Sequence, residues 1–198
     1  MMNIDDVKVL YGIACFSLCL IIVSPTIATF VSFPSGEPFS EIWLLGSGHM
    51  IGGYPFNVTI GAEEQVFVGV GNHLGRSAYY VVYVKLRNQM QALPNLAISE
   101  ASPLAPLYEF RAVVADGEMW EESLAFSFLE ASHFGDLFAV EKFSINDQVF
   151  TVDYPCVWDS ENNGFFYQLF FELWIYDDDI SGSRYHNRFA GIWLNMTV

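Results

Sequence analysis

Positive charge is scarce in this chain. Its 198 residues carry eight Lys and Arg against 23 Asp and Glu, a formal net charge of −15. Like charges repel, so nucleic acid and anionic headgroup layers are excluded as partners of its surface. Charge of either sign is sparse: 16% of residues are charged and 53% hydrophobic, against about 25% charged in an ordinary soluble domain. That composition excludes disorder. Cysteine occurs at three positions, Cys15, Cys19 and Cys156. Only the last lies beyond residue 33, so no disulfide can close there and that part of the chain must rely on a hydrophobic core. Cys156, within Tyr154–Trp158, is expected to be a buried small hydrophobe. Cys15 and Cys19, four apart, share one face of a helix and are expected to pack rather than carry lipid.

Signatures of catalysis are missing too. There is no P-loop, dinucleotide fingerprint or Gly-x-Ser-x-Gly elbow, and Gly46-Ser47-Gly48 lies in a connector with no helix following. His49, His73, His133 and His186 are scattered, with no His-x-x-x-His or Cys-x-x-Cys pair to arrange zinc ligands. His73, in Gly71–Gly75, reads as part of a turn. Asp177-Asp178-Asp179 is the densest acidic run; calcium would need carbonyls from Ile180–Ser183, and the EF-hand spacing and closing Glu are missing. It is read as a solvated hairpin tip. Glu63-Glu64 and Glu121-Glu122 read as surface charge. No enzyme is expected, and no catalytic, metal or cofactor-binding residue is assigned. Tyr79 and Tyr83 are suited to stacking on sugars, although alternation on a half-buried sheet accounts for them equally.

What the chain does have is one long uncharged run. No charged residue occurs between Lys8 and Glu37, and Val9–Val23 is almost continuously apolar. A hydrocarbon core needs ~20 helical residues, so residues 9–33 are expected to be a transmembrane helix. A cleaved signal peptide is the alternative; Asp5 and Asp6 in the leader and the uncharged stretch beyond Pro25 favour a retained signal anchor. Lys8 and the α-amine precede the run, and no Lys or Arg follows until Arg76. That asymmetry places a short tail, 1–8, inside and residues 34–198 outside the cell membrane.

Beyond it, period-two alternation punctuated by Gly, Asn and Asp dominates. Candidate strands are Glu41–Leu45, Phe56–Ile60, Gln65–Gly71, Ser77–Arg87, Leu107–Val114, Trp120–Phe128, Leu137–Phe143, Val149–Asp153, Gly164–Tyr176 and Arg188–Val198. Asp116-Gly117 reads as a hairpin turn, and Asp177–Asn187 as the loop of the last hairpin. Gly164–Tyr176 has large residues on both faces, as a central strand packed on two sides would. Gln89–Glu100 and Glu130–Gly135 are the only candidate turns of helix. The expected fold is all-β: an antiparallel β-sandwich of immunoglobulin-like architecture preceded by one membrane helix, with a closed barrel as the alternative. The Cys…Trp…Cys pattern of true immunoglobulin domains is lacking.

Three blocks, Tyr54–Arg87, Ala115–Phe128 and Phe165–Thr197 with its FELWIY and GIWLNMT segments, together resemble archaeal membrane proteins grouped as domain of unknown function 1616. The resemblance implies a membrane-tethered extracellular β-domain in an archaeon and brings no catalytic residues. Members often carry more membrane helices than the single span here. Two sequons, Asn57-Val58-Thr59 and Asn195-Met196-Thr197, make Asn57 and Asn195 candidate glycosylation sites if the domain faces outward. The partners expected are membrane lipid, through the helix, and an envelope protein or a second copy of the chain. The role read from the sequence is structural or binding, at the cell envelope. The alternatives are a subunit of a membrane complex or filament that assembles through strand edges, and a carbohydrate-binding accessory module. A long unguarded edge would favour assembly, and a concave aromatic groove with converging polar groups would favour ligand binding.

Overall fold

The structure, a computed structural model, describes residues 4–30 and 37–197, with side chains over 8–22 and 37–196. The chain divides into two compact units, Met1–Pro38 and Phe39–Val198. The first contains helix α1, Ile4–Phe30. Residues 31–33, the expected end of the span, lie outside the described residues. Between Val9 and Ile22 apolar side chains point to every side and stay exposed, Tyr11 and Ile21 at 70% each. No helix among the described residues is long and apolar enough to cross a membrane, so the expected span is not seen among them.

The second unit is all-β and built from two sheets, so the barrel alternative is set aside. One sheet has the order β1-β3-β6-β7-β8 and the other β2-β10-β9-β4-β5. In chain order the strands are β1 (Phe39–Leu45), β2 (Asn57–Thr59), β3 (Glu63–His73), β4 (Ala78–Asn88), β5 (Tyr108–Val114), β6 (Met119–Phe134), β7 (Leu137–Ile145), β8 (Gln148–Val157), β9 (Phe165–Asp177) and β10 (Gly182–Thr197). Neighbours run antiparallel except β2 and β10, which pair in parallel as Asn57↔Asn195, Val58↔Met196 and Thr59↔Thr197. Inward-facing residues of both sheets fill the space between them: Val66, Val68 and Val70 of β3, Leu124, Phe126 and Phe128 of β6, Val82, Val84 and Leu86 of β4, and Leu169, Phe171 and Leu173 of β9. Aligned sheet packing predicts such a layer ~10 Å thick.

β9 lies between β10 and β4, as its sequence suggested, and its outward residues Phe166 and Phe170 are buried as well. Four local expectations need correction. Asp116-Gly117 does turn the chain, with Glu118 N–H donating to the Ala115 carbonyl at 3.1 Å, but β5 and β6 belong to different sheets. The turn is therefore a crossing between layers and no hairpin. Glu130–Gly135 is not helical: β6 continues to Phe134 through a register shift around Glu130. The bulge moves the inward positions from Phe126 and Phe128 to Ala131 and His133, which is why simple alternation stopped there. Asp177–Asn187 is mostly strand, because β10 starts at Gly182 and absorbs an irregularity between Tyr185 and Arg188. Gln89–Glu100 also forms no helix; it consists of turns closed by an Asn95–Glu100 bridge.

Candidate functional site

The outward face of the β2-β10-β9-β4-β5 sheet is where the molecule departs from a simple sandwich. Alternation places Lys85 and Arg87 of β4 and Gln168 and Glu172 of β9 on that face, yet all four are buried. The segment between β4 and β5 accounts for part of this. Its Ser102 N–H donates to Glu172 Oε1 at 2.8 Å, and its Ser102 carbonyl accepts from Lys85 Nζ at 2.9 Å. Lys85 and Glu172 themselves meet at 2.8 Å, 3% and 0% exposed. Trp174 Nε1 donates to the same carboxylate at 3.1 Å. A buried charge without partners is costly, and here every oxygen of Glu172 is engaged. Asn88 starts the segment: its Oδ1 accepts from the N–H groups of Met90 and Gln91, and its Nδ2 donates to the Pro155 carbonyl at 2.7 Å.

This polar layer positions an aromatic cleft. Arg87 Nε donates to Gln168 Oε1 at 2.8 Å and its terminal nitrogen to the Gln91 carbonyl, so the guanidinium is fixed. Burial pushes its pKa down. The fixed cation lies 5.1 Å from the centre of the Trp193 ring, a cation–π geometry that holds the indole in place. Trp193, 39% exposed, lines a cleft of about 360 Å³ together with Phe56, Phe166, Gln89, Asp159 and Asn162. A second, more apolar hollow of about 650 Å³ shares Phe56 and Trp193 and is bounded by Tyr54, Pro55 and Ile192. Volumes of ~300–1,000 Å³ with a few polar groups among aromatic walls suit small ligands. Asp159 is partly committed to its own loop, accepting from the N–H groups of Glu161 and Asn162 and from Asn162 Nδ2; the hydrogen bonds from Asn162 hold its carboxyl below the usual range.

The residues singled out from sequence do not line this cleft. Tyr79 meets Tyr176 edge-on at 6.3 Å and Tyr83 meets Trp174 at 5.3 Å, so both are half-buried parts of an aromatic row rather than a free platform. Asp177 is bound to its own hairpin, pairing with Arg184 at 2.7 Å and accepting from Asp179 N–H at 3.0 Å. His49 pairs with Glu121 at 3.0 Å, His73 stacks on Phe39 at 4.7 Å and His133 meets Phe165 at 5.3 Å. No three His, Cys, Asp or Glu side chains converge among the described residues. Cys156 is 1% exposed, and burial raises its thiol pKa to about 11. The two sequon asparagines meet each other: Asn195 Nδ2 donates to Asn57 Oδ1 at 3.0 Å.

His186 belongs to a buried network that joins the sheets. Its Nε2 lies 3.0 Å from Ser40 Oγ, which lies 2.6 Å from Tyr80 OH, which in turn donates to Asn72 Oδ1 at 3.1 Å. A one-way chain from imidazole N–H through Ser40 and Tyr80 to Asn72 satisfies each group. In it Ser40 accepts from His186, the opposite of a nucleophile yielding its proton to a base. Ser40 is also 2% exposed, out of reach of a substrate. Burial, helped by Arg188 and Arg184, pushes the His186 pKa below its ordinary value. A lowered folded-state pKa means that the unfolded chain takes up the proton first, so stability contributed by neutral His186 declines as pH falls below ~6.5. Thermal unfolding at pH 7.5 and 5.5 should show this loss in the natural chain and a smaller one in His186→Gln.

The family model described as a domain of unknown function, DUF1616, matches residues 34–133, from before β1 into β6. The chain belongs to this family. The third block that resembled it, Phe165–Thr197, lies beyond the matched residues. Among solved structures the DUF1616 chain is similar to the CARDB domain of the PF1109 protein from Pyrococcus furiosus, solved with di-metal ions, at 9% identity and TM-score 0.40, covering 84% of this chain and 95% of that one. It is similar to a β-glucosidase from Listeria innocua in complex with isofagomine at 13% identity and TM-score 0.42, covering 84% of this chain but 18% of the glucosidase chain. A third likeness is to a chain of the human seminal plasma complex of zinc 2-glycoprotein and prolactin-inducible protein, at 8% identity and TM-score 0.39, covering 83% and 100%. No relative among curated proteins matches the chain.

Proposed function

We propose that this DUF1616 chain is a non-enzymatic archaeal envelope protein, tethered by its amino-terminal helix with its β-sandwich outside the cell, and that the sandwich binds carbohydrate. The cleft beside Trp193 carries this reading. Three aromatic side chains, Phe56, Phe166 and Trp193, stand with Gln89 and Asn162 around one hollow. Sugars present apolar C–H faces to aromatic rings and hydroxyls to amides, so that combination suits them.

Assembly through strand edges fits less well, because three of the four edge strands are guarded. β5 carries the exposed ion pair Glu109–Arg111, β8 carries Asp153 and Pro155, and β2 is three residues long. Charge, proline and shortness each discourage edge pairing. Tethering is supported by the uncharged run from residue 9 to 36 and by the apolar side chains exposed around α1. A helix apolar on all sides requires an apolar environment.

Titration of the chain with neutral hexose and N-acetylhexosamine oligomers, followed by tryptophan fluorescence, tests the binding. A saturable change is expected, with affinity lowered at least about tenfold, ~1.4 kcal/mol, in Trp193→Ala. No response to either oligomer class would overturn the carbohydrate reading. The tether is tested separately: protease added to intact cells should digest residues beyond α1, and protection of them would overturn the outward orientation.

A further inference from the structure

The two sequons are not equivalent in the folded protein. We infer that Asn57 is the glycan-bearing residue and that Asn195 serves as its fixed hydrogen-bond partner. The inference rests on the outward orientation proposed above.

An N-linked glycan is attached through Asn Nδ2. That nitrogen attacks the anomeric carbon of an oligosaccharide carried on a polyisoprenyl phosphate or diphosphate. The C1–N bond forms as the C1–O bond to phosphate breaks; the lipid phosphate leaves with the electron pair, and one N–H proton is released. The acceptor nitrogen must therefore be accessible and able to give up a hydrogen.

Asn57 meets both conditions. It is exposed on β2, the edge strand of its sheet, and Thr59 of the same sequon is exposed too. Its hydrogen bond with Asn195 uses Oδ1, which leaves the Nδ2 hydrogens outside that bond. Asn195 is the less well placed of the two, half-buried and with one of its two Nδ2 hydrogens already committed. It lies on β10, flanked by β2 on one side and β9 on the other. Its Nδ2 is the donor to Asn57, and its Oδ1 is buried against Gly164, where even an added Cβ would stand 2.1 Å away. Its backbone N–H is held by the Phe56 carbonyl at 2.6 Å. Glycosylating Asn195 would leave its amide a single hydrogen for the bond to Asn57 and set the sugar on a strand with neighbours on both sides. Glycosylating Asn57 leaves the bond in place and orients the amide plane at the sheet edge.

Glycopeptide mass spectrometry of the full chain, purified from membranes of an N-glycosylating archaeal host, tests the assignment. One glycan is expected, on the peptide containing Asn57. It should be lost in Asn57→Gln and in Thr59→Ala, which leaves the Asn57 side chain untouched, and kept in Asn195→Gln. A glycan on Asn195 overturns the assignment. Bare asparagines at both positions overturn it alone if external protease digests the β-unit of intact cells. If the β-unit is protected, bare asparagines count against the outward orientation and the assignment falls with it.

Discussion

Replacing Glu172 with alanine should destabilise the sandwich by about 3–5 kcal/mol, the cost of stranding a buried charge. Lys85 would keep the Ser102 carbonyl, at 2.9 Å, as its remaining partner in a position only 3% exposed. The Ser102 and Trp174 N–H groups would each lose an acceptor in the same step. Because Ser102 ties the β4–β5 segment down, its release should also loosen Gln91 and with it Arg87, the cation beside Trp193. If the cleft binds oligosaccharide as proposed, that affinity should fall together with stability, although Glu172 does not line the cleft. Denaturant titration measures the first effect and fluorescence titration the second. The double variant Lys85→Met/Glu172→Leu separates charge from packing: removing both partners of a buried ion pair is often near neutral, so it should recover most of the stability. If Glu172→Ala alone proves neutral, the pair does not hold the segment.

That ion pair also shows where reading the sequence stopped. Alternation in Ser77–Arg87 separates Tyr80, Val82, Val84 and Leu86 from Lys85 and Arg87, but it does not say whether the second face meets water or a further layer. A signal for the further layer lies in the other strand. Gln168 and Glu172 interrupt Phe165–Tyr176, a segment otherwise apolar on both faces, and a carboxylate in a doubly packed strand must find a cation. Nothing in β9 itself says which cation, because the match depends on the Tyr83↔Glu172 and Lys85↔Phe170 register. The strands, the two-layer architecture and the centrality of β9 follow from local pattern. The cleft does not: Phe56, Phe166 and Trp193 come from β9, β10 and the approach to β2, and only β2's parallel pairing with β10 brings Phe56 to the other two. The same pairing joins Asn57 to Asn195 across a separation of 138 residues. Asp116-Gly117 misled for a related reason, since turn chemistry fixes the local bend but not the sheet that receives the next strand.

Phe128→Ala should be as damaging as Glu172→Ala, but with a different signature. The ring is 1% exposed and packs 4.8 Å from Phe143, 6.0 Å from Tyr167 and 6.5 Å from Phe126, touching strands of both sheets. Emptying such a site costs the transfer energy of the ring plus that of the cavity, about 3–5 kcal/mol, or roughly 10 °C in a domain of this size. Phe134, in the same strand but beyond the bulge, is 73% exposed, and Phe134→Ala should stay within about 0.5 kcal/mol of the natural chain. The contrast tests the register shift around Glu130 directly. Without the shift, even-numbered residues would keep facing inward and Phe134 would share the burial of Phe126 and Phe128; with it, Ala131 and His133 take over the inner face. Comparable losses in the two variants would mean that β6 runs on unbulged. Loss in Phe128→Ala alone, with oligosaccharide affinity intact under conditions where the variant remains folded, would place its effect in the packing between the sheets and leave the outward cleft untouched.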